Sequence, residues 1–147
     1  MHAMKMSSEG RKALIQEFEQ CRLEAYPDGG GVWTIGWGHT AGVKNGQTCT
    51  QAQADAWLEA EVADAEASVN TYVRGWLLQG QFDALCSLVY NIGGNAFRKS
   101  TLVAKLNAGD TEGAAKEFLR WKFDNGKEVK GLLRRRAAEQ KMFLEAT

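Results

Sequence analysis

Apolar positions along most of the chain recur at steps of three and four, the spacing that buries one face of an α-helix. Leu14, Ile15, Phe18 and Cys21 form the first such stripe, with Ser8 as its candidate N-cap. Thr50 and Gln53 make a T-x-x-Q capping box. Behind it Leu58, Val62, Ala65, Val69, Tyr72 and Val73 mark one amphipathic helix of roughly twenty residues. Further helices are expected over residues 79–90, with Phe82, Leu85, Cys86 and Val89 as the stripe, and over 100–107, 111–121 and 132–144. The glycines that follow Asn91 and Asn107 read as helix ends. One segment breaks this rhythm. In residues 32–38 the side chains Trp33, Ile35 and Trp37 alternate with smaller ones, the period-two pattern of a strand, which turns Thr34 away from the tryptophans. Just before it, Tyr26-Pro27-Asp28-Gly29-Gly30-Gly31 contains the chain's only proline and three glycines, so the backbone is expected to reverse there.

These elements describe a mainly helical α+β chain. Its 147 residues fit one domain, or a small lobe joined to a larger helical one. On the second reading residues 8–50 form an N-terminal lobe with a short antiparallel sheet, 51–73 a linking helix and 74–147 a helical C-terminal lobe. Residues 2–6 carry no pattern and are expected to be unstructured. Composition changes the picture little, because Lys plus Arg and Asp plus Glu both number 18 and net charge gives no argument for nucleic acid. Their distribution says more. Residues 51–70 hold five acids and no base, whereas residues 116–141 hold nine bases against four acids. The basic stretch is either a solvated helix face or a surface that attracts an anionic polymer. Cys21, Cys49 and Cys86 match neither a zinc site nor a disulfide framework and read as reduced thiols, mostly in the core. With two histidines and no ligand cluster, neither a metal nor a cofactor is expected. Residues 1–8 show no signal-peptide pattern and no apolar run is long enough to span a membrane, so neither export by a leader nor stable membrane insertion is expected.

The candidate chemistry lies between Glu19 and Thr40. Eight residues separate Glu19 from Asp28 and five separate Asp28 from Thr34, so a helix end, a turn and a strand each offer one polar group to a single cleft. Hydrolysing a glycoside takes one protonated carboxyl to protonate the leaving oxygen and one carboxylate to activate water or attack. A carboxyl at a helix C-terminus meets the negative end of the dipole, which raises its pKa, as an acid requires. Any two of 18 acids make a weak argument; the glycines, hydroxyl and aromatic rings around these two strengthen it.

Phe18-Glu19, Ala25-Tyr26-Pro27-Asp28 and Trp33-Thr34-Ile35-Gly36-Trp37-Gly38-His39-Thr40 resemble the signature of the phage-type lysozymes, the endolysins of glycoside hydrolase family 24. Gln81-Phe82-Asp83-Ala84-Leu85, Asn91-Ile92-Gly93, residues 97–102, residues 106–110 and Gly131-Leu132-Leu133-Arg134-Arg135-Arg136 through Glu139 are similar to that family's C-terminal lobe, so the likeness spans about residues 8–144. The resemblance implies a two-lobed lysozyme fold and cleavage of the β-1,4 bond between N-acetylmuramic acid and N-acetylglucosamine. It implies Glu19 as acid, Asp28 as base in an inverting mechanism and Thr34 as a holder of the attacking water. Asn91 and Ser100 match positions on the C-terminal side of the cleft, where Tyr90 and Trp121 would meet sugar rings or pack in the core. The expected partner is the peptidoglycan glycan strand, bound by a monomer without cofactor. The expected route is from the host cytoplasm to the wall through a holin. His39 reads as a structural histidine bonded to a carboxylate across the lobe junction, and one of Arg134, Arg135 and Arg136 as a buried structural arginine. One position departs from the family, which commonly has glycine after the catalytic glutamate where this chain has Gln20. That departure keeps open a wall-binding module without turnover; a glycosidase of chitin-like polymers shares the same carboxylate logic.

Overall fold

The computed structural model describes residues 3–124 and 126–147. Its first helix starts one residue earlier than the sequence suggests. Ser7, not Ser8, is the N-cap: its hydroxyl accepts from Gly10 N, and α1 (Ser8–Arg11) runs through a π-helical turn, Lys12–Gln16, into α2 (Glu17–Glu19). Ser7 also donates to Asp83 from N at 2.9 Å and from Oγ at 2.5 Å, and a Cβ on Gly10 would lie 2.3 Å from that carboxylate. The start of the helix is therefore clamped to Asp83. The preceding stretch is ordered too. Met4 N donates to Asn70 Oδ1, Met6 N to Glu66 Oε2, and both methionines pack on apolar clusters. The expectation of an unstructured segment fails at residues 3–6 because buried apolar contact outweighs its lack of pattern; His2 lies outside the described residues.

Past Glu19 the chain makes the expected hairpin. Strands β1 (Arg22–Pro27) and β2 (Trp33–Gly36) pair antiparallel, with Tyr26 opposite Thr34 and Pro27 opposite Trp33. Backbone bonds from Asp28 N to Val32 O and from Gly31 N to Asp28 O close the turn, where Gly31 takes φ +81°. Beyond β2, Ile35 and His39 exchange backbone hydrogen bonds at 2.9 Å around Gly36 and Gly38, both at positive φ. Helix α3 (Gln51–Tyr72) starts at the capping box read from the sequence, with Thr50 Oγ1 accepting from Gln53 N and Gln53 Oε1 from Thr50 N. Leu58, Val62, Ala65 and Val69 are its buried stripe.

The rest is helical. It comprises α4 (Gln79–Ile92), α5 (Gly94–Arg98), α6 (Thr101–Asn107), α7 (Thr111–Glu117) with a 3-10 turn over Phe118–Trp121, and α8 (Lys130–Glu145). Phe82 to Val89 of α4 are buried without a break, which places that helix at the centre of the larger core with Phe97, Leu102, Phe118 and Phe143 around it. A second, smaller cluster of Ile15, Leu58 and Val62 joins the first helix to α3. Two elements escape the helical pattern: α5, and a hairpin of β3 (Phe123–Asp124) with β4 (Lys127–Glu128). The cysteines correct another expectation, since only Cys86 is in the core while Cys21 and Cys49 are half-buried on the sheet side; all three are free.

Candidate active site

Glu19 ends α2, and its side chain is 21% exposed. A Cβ on Gly38 would lie 2.3 Å from Glu19 Oε2, so the carboxyl rests against the backbone after β2 and only glycine fits there. On its other side Arg135 Nη1 of α8 stands 3.5 Å from Oε2. Burial pushes the Glu19 carboxyl above the usual carboxylate range, and Arg135, the strongest opposing influence, does not cancel it; Glu61 adds a smaller push upward. The direction agrees with the sequence reading, whereas the main cause is burial.

Asp28 is in a different environment. It is exposed in the turn, and its Oδ1 accepts from the backbone N–H of Gly30 at 2.9 Å and of Val32 at 2.8 Å. Those two donors fix the carboxylate's orientation without burying it. Thr34, 4% exposed, donates its hydroxyl to Val32 O at 2.9 Å, which leaves the oxygen's lone pairs to accept another hydrogen. Across from the turn, a Cβ on Gly30 would meet Asp124 Oδ2 at 3.0 Å, so the β3–β4 hairpin faces the Asp28 loop.

One buried cluster supports Glu19. Arg135 Nε lies 3.5 Å from Glu139 Oε2, Arg136 Nε 2.7 Å from Glu139 Oε1, and Ser87 Oγ donates to Glu139 Oε2 at 2.5 Å. Burial pushes Glu139 up and Arg136 down, while their direct contact opposes both shifts. Arg136 also donates to Asn91 Oδ1 at 3.0 Å. Two of the three consecutive arginines are thus buried, not one, and Arg134 is exposed. The sequence reading missed Arg135 and Glu139 as site residues. Their signal was present in the i, i+3 and i, i+4 spacing of Arg136 and Arg135 to Glu139 on one helix.

A known family model, phage lysozyme, matches residues 16–139. The chain belongs to that family. An endolysin of Acyrthosiphon pisum secondary endosymbiont phage 1 is 46% identical over 143 residues, covering 95% of this chain and 98% of that one. The endolysin of Salmonella phage P22 is 41% identical, covering 96% and 99%. Among solved structures, an endolysin from Escherichia coli O157:H7 phage FAHEc1 superimposes with a TM-score of 0.83 at 38% identity, covering 98% of this chain and 96% of that one. This phage lysozyme is a glycoside hydrolase, a muramidase that lyses peptidoglycan.

In this family member the remaining sequence candidates fall into separate places. Tyr90 donates its hydroxyl to Trp37 O at 2.7 Å, joining α4 to the loop beside Glu19, and burial pushes its phenol pKa up. Asn91 belongs to the arginine–Glu139 cluster. Ser100 caps α6, donating to Phe97 O at 2.7 Å and accepting from Val103 N at 3.2 Å, in a groove with Tyr72 and Asn107 away from Glu19. Trp121 is half-buried against the larger core. His39 Nδ1 is 2.6 Å from Glu61 Oε1, and its ring stacks on Trp57 at 4.2 Å, so the histidine ties the loop after β2 to α3. Among the described residues no cluster of three or more His, Cys, Asp or Glu could hold a metal, and no helix is long and apolar enough to cross a membrane.

Proposed function

We propose that Glu19 is the general acid and Asp28 the general base in hydrolysis of the β-1,4 bond between N-acetylmuramic acid and N-acetylglucosamine. The contrast between the two carboxyls carries this reading: one is largely withdrawn from water and held above its ordinary pKa, the other exposed and oriented by two backbone amides. Two such environments separate proton donor from proton acceptor. Glu19 gives its proton to the leaving oxygen. Asp28 takes one from a water that Thr34 Oγ1 orients by accepting the water's other hydrogen. Attack from the face opposite the leaving group makes the reaction inverting, which calls for carboxyls about 6.5 to 9.5 Å apart. No cofactor takes part.

Residues 8–50 and 74–147 act as two lobes joined through residues 51–73, with the β3–β4 hairpin and the Asp28 loop as the facing lips of the cleft. Trp121 offers an aromatic face to a sugar ring. Tyr90 and Asn91 position the groups around Glu19, and Ser100, occupied as a cap, acts only through the placement of α6. The protein works as a monomer on glycan strands, has no nucleic-acid partner, and passes from the host cytoplasm to the wall through a holin. Removing the acid is expected to lower turnover by roughly a hundredfold or more. Glu19→Gln should therefore stop clearing of permeabilised Gram-negative cells while its circular dichroism matches that of the native protein. Clearing at the native rate would contradict the assignment of the acid.

A further inference from the structure

The most exposed large apolar side chain among the described residues, Trp76 at 90%, stands in the short connection from α3 to α4, two residues from Leu78 at 43%. Arg74, in the same connection, joins Arg98 and Lys99 around a groove of about 660 Å³ whose lining carries no carboxylate. Among the described residues none of these three cations has a carboxylate within 4 Å; Arg98 bonds only the neutral Asn95 side chain. The connection is also fastened at both ends. Asn107 accepts from Arg74 N and donates to Tyr72 O, both at 2.9 Å, Gln81 accepts from Leu78 N, and Leu77 packs on the core. An indole is thus held out in water two residues along the chain from Arg74, one of the three cations around the groove.

We propose that this face docks on an anionic lipid bilayer, the cations on the headgroup phosphates and Trp76 with Leu78 in the interfacial layer. Three unpaired cations beside a groove without a carboxylate suit any polyanion. The apolar pair decides between polyanions. Tryptophan is the residue most at home where headgroups meet acyl chains, and a layer that is anionic outside and apolar just beneath matches this face in both respects. A hydrated glycan bearing peptide carboxylates would satisfy the cations and give Leu78 nothing. The site shares no residue with the Glu19 cluster, so docking and hydrolysis are separable.

Co-sedimentation of the intact protein with vesicles tests this directly. The protein should pellet with vesicles mixing phosphatidylglycerol and phosphatidylcholine, be released by high salt, and stay in solution with phosphatidylcholine alone. Neutralising Arg74, Arg98 and Lys99 to glutamine should weaken binding by roughly fivefold per cation removed. Trp76→Ala should weaken it as well. Both variants should melt cooperatively and clear permeabilised cells at the native rate. Three results would overturn the proposal: no binding of the native protein, equal binding to neutral vesicles, or native-strength binding by both variants. If the same substitutions abolish binding to soluble glycan strands and vesicles never bind, the surface belongs to the wall polymer instead.

Discussion

At Glu19 two effects of unequal size meet: removal from water favours the neutral carboxyl, and Arg135 favours the charged one. Removal from water is the larger, so the folded protein binds this proton more tightly than the unfolded chain does. The stability carried by the proton is then complete below the ordinary value of 4.5 and is lost as pH rises through the folded pKa. Glu19→Gln is neutral at every pH and escapes that loss. It should melt at a higher temperature than the native protein at neutral pH, and the difference should close as pH falls through the folded pKa to 4.5, which calorimetry across the range will show. The next residue stores strain of another kind. Gln20, at φ +52° and ψ 149°, is the one non-glycine with positive φ among the described residues. Such a backbone costs an L residue about 1 to 2 kcal/mol, and the entropy that glycine adds to the unfolded chain offsets roughly half of this. Gln20→Gly should raise stability by about 1 kcal/mol, read as a higher urea midpoint at unchanged slope. The resemblance to the phage-type lysozymes implies glycine at this position, and the positive φ of Gln20 is a physical reason for glycine to suit it.

Helices whose termini carry their own chemistry were legible in the chain. The Thr50–Gln53 box starts α3 where its spacing says, and the apolar stripe behind it faces the core as read. Thr50→Ala should lower stability by about 1 kcal/mol through loss of that cap. The Asp28 turn was equally legible, because proline and consecutive glycines dictate a reversal that the two strands complete. Elements set by contacts distant in sequence were not. The N-cap falls on Ser7 rather than Ser8 because Asp83 holds it there, the β3–β4 strands are two residues each and too short for any period, and α5 begins directly after Gly93. Tyr90 belongs to this group, an aromatic residue whose role depends on the carbonyl of Trp37. Tyr90→Phe should cost about 1 kcal/mol, with catalytic activity reduced more than stability if the bond positions the loop beside Glu19.

At the scale of the whole molecule, a buried row of charges links α8 to the cleft: Arg136 and Arg135 meet at Glu139, and Arg135 reaches on to Glu19. Glu139 is fully buried, so deleting its carboxyl leaves two guanidinium groups short of a counter-charge inside the protein. Glu139→Ala should lose about 3 to 5 kcal/mol of stability, the usual penalty for breaking a buried ion pair from one side. The candidate carboxylates Glu19 and Asp28 were legible in the sequence because they sit together in one short segment. Their support was not, because Arg135 comes from the opposite end of the chain and only the folded helix brings it to Glu19. Together these pieces support the proposal of a muramidase whose acid is Glu19, its carboxyl pushed above the usual range by burial and met by Arg135 of the C-terminal helix. The most direct test of that account is mass spectrometry of peptidoglycan digested to completion by the native protein. Hydrolysis with Glu19 as acid and water as nucleophile predicts fragments ending in reducing N-acetylmuramic acid, and fragments ending in the anhydro form would contradict it.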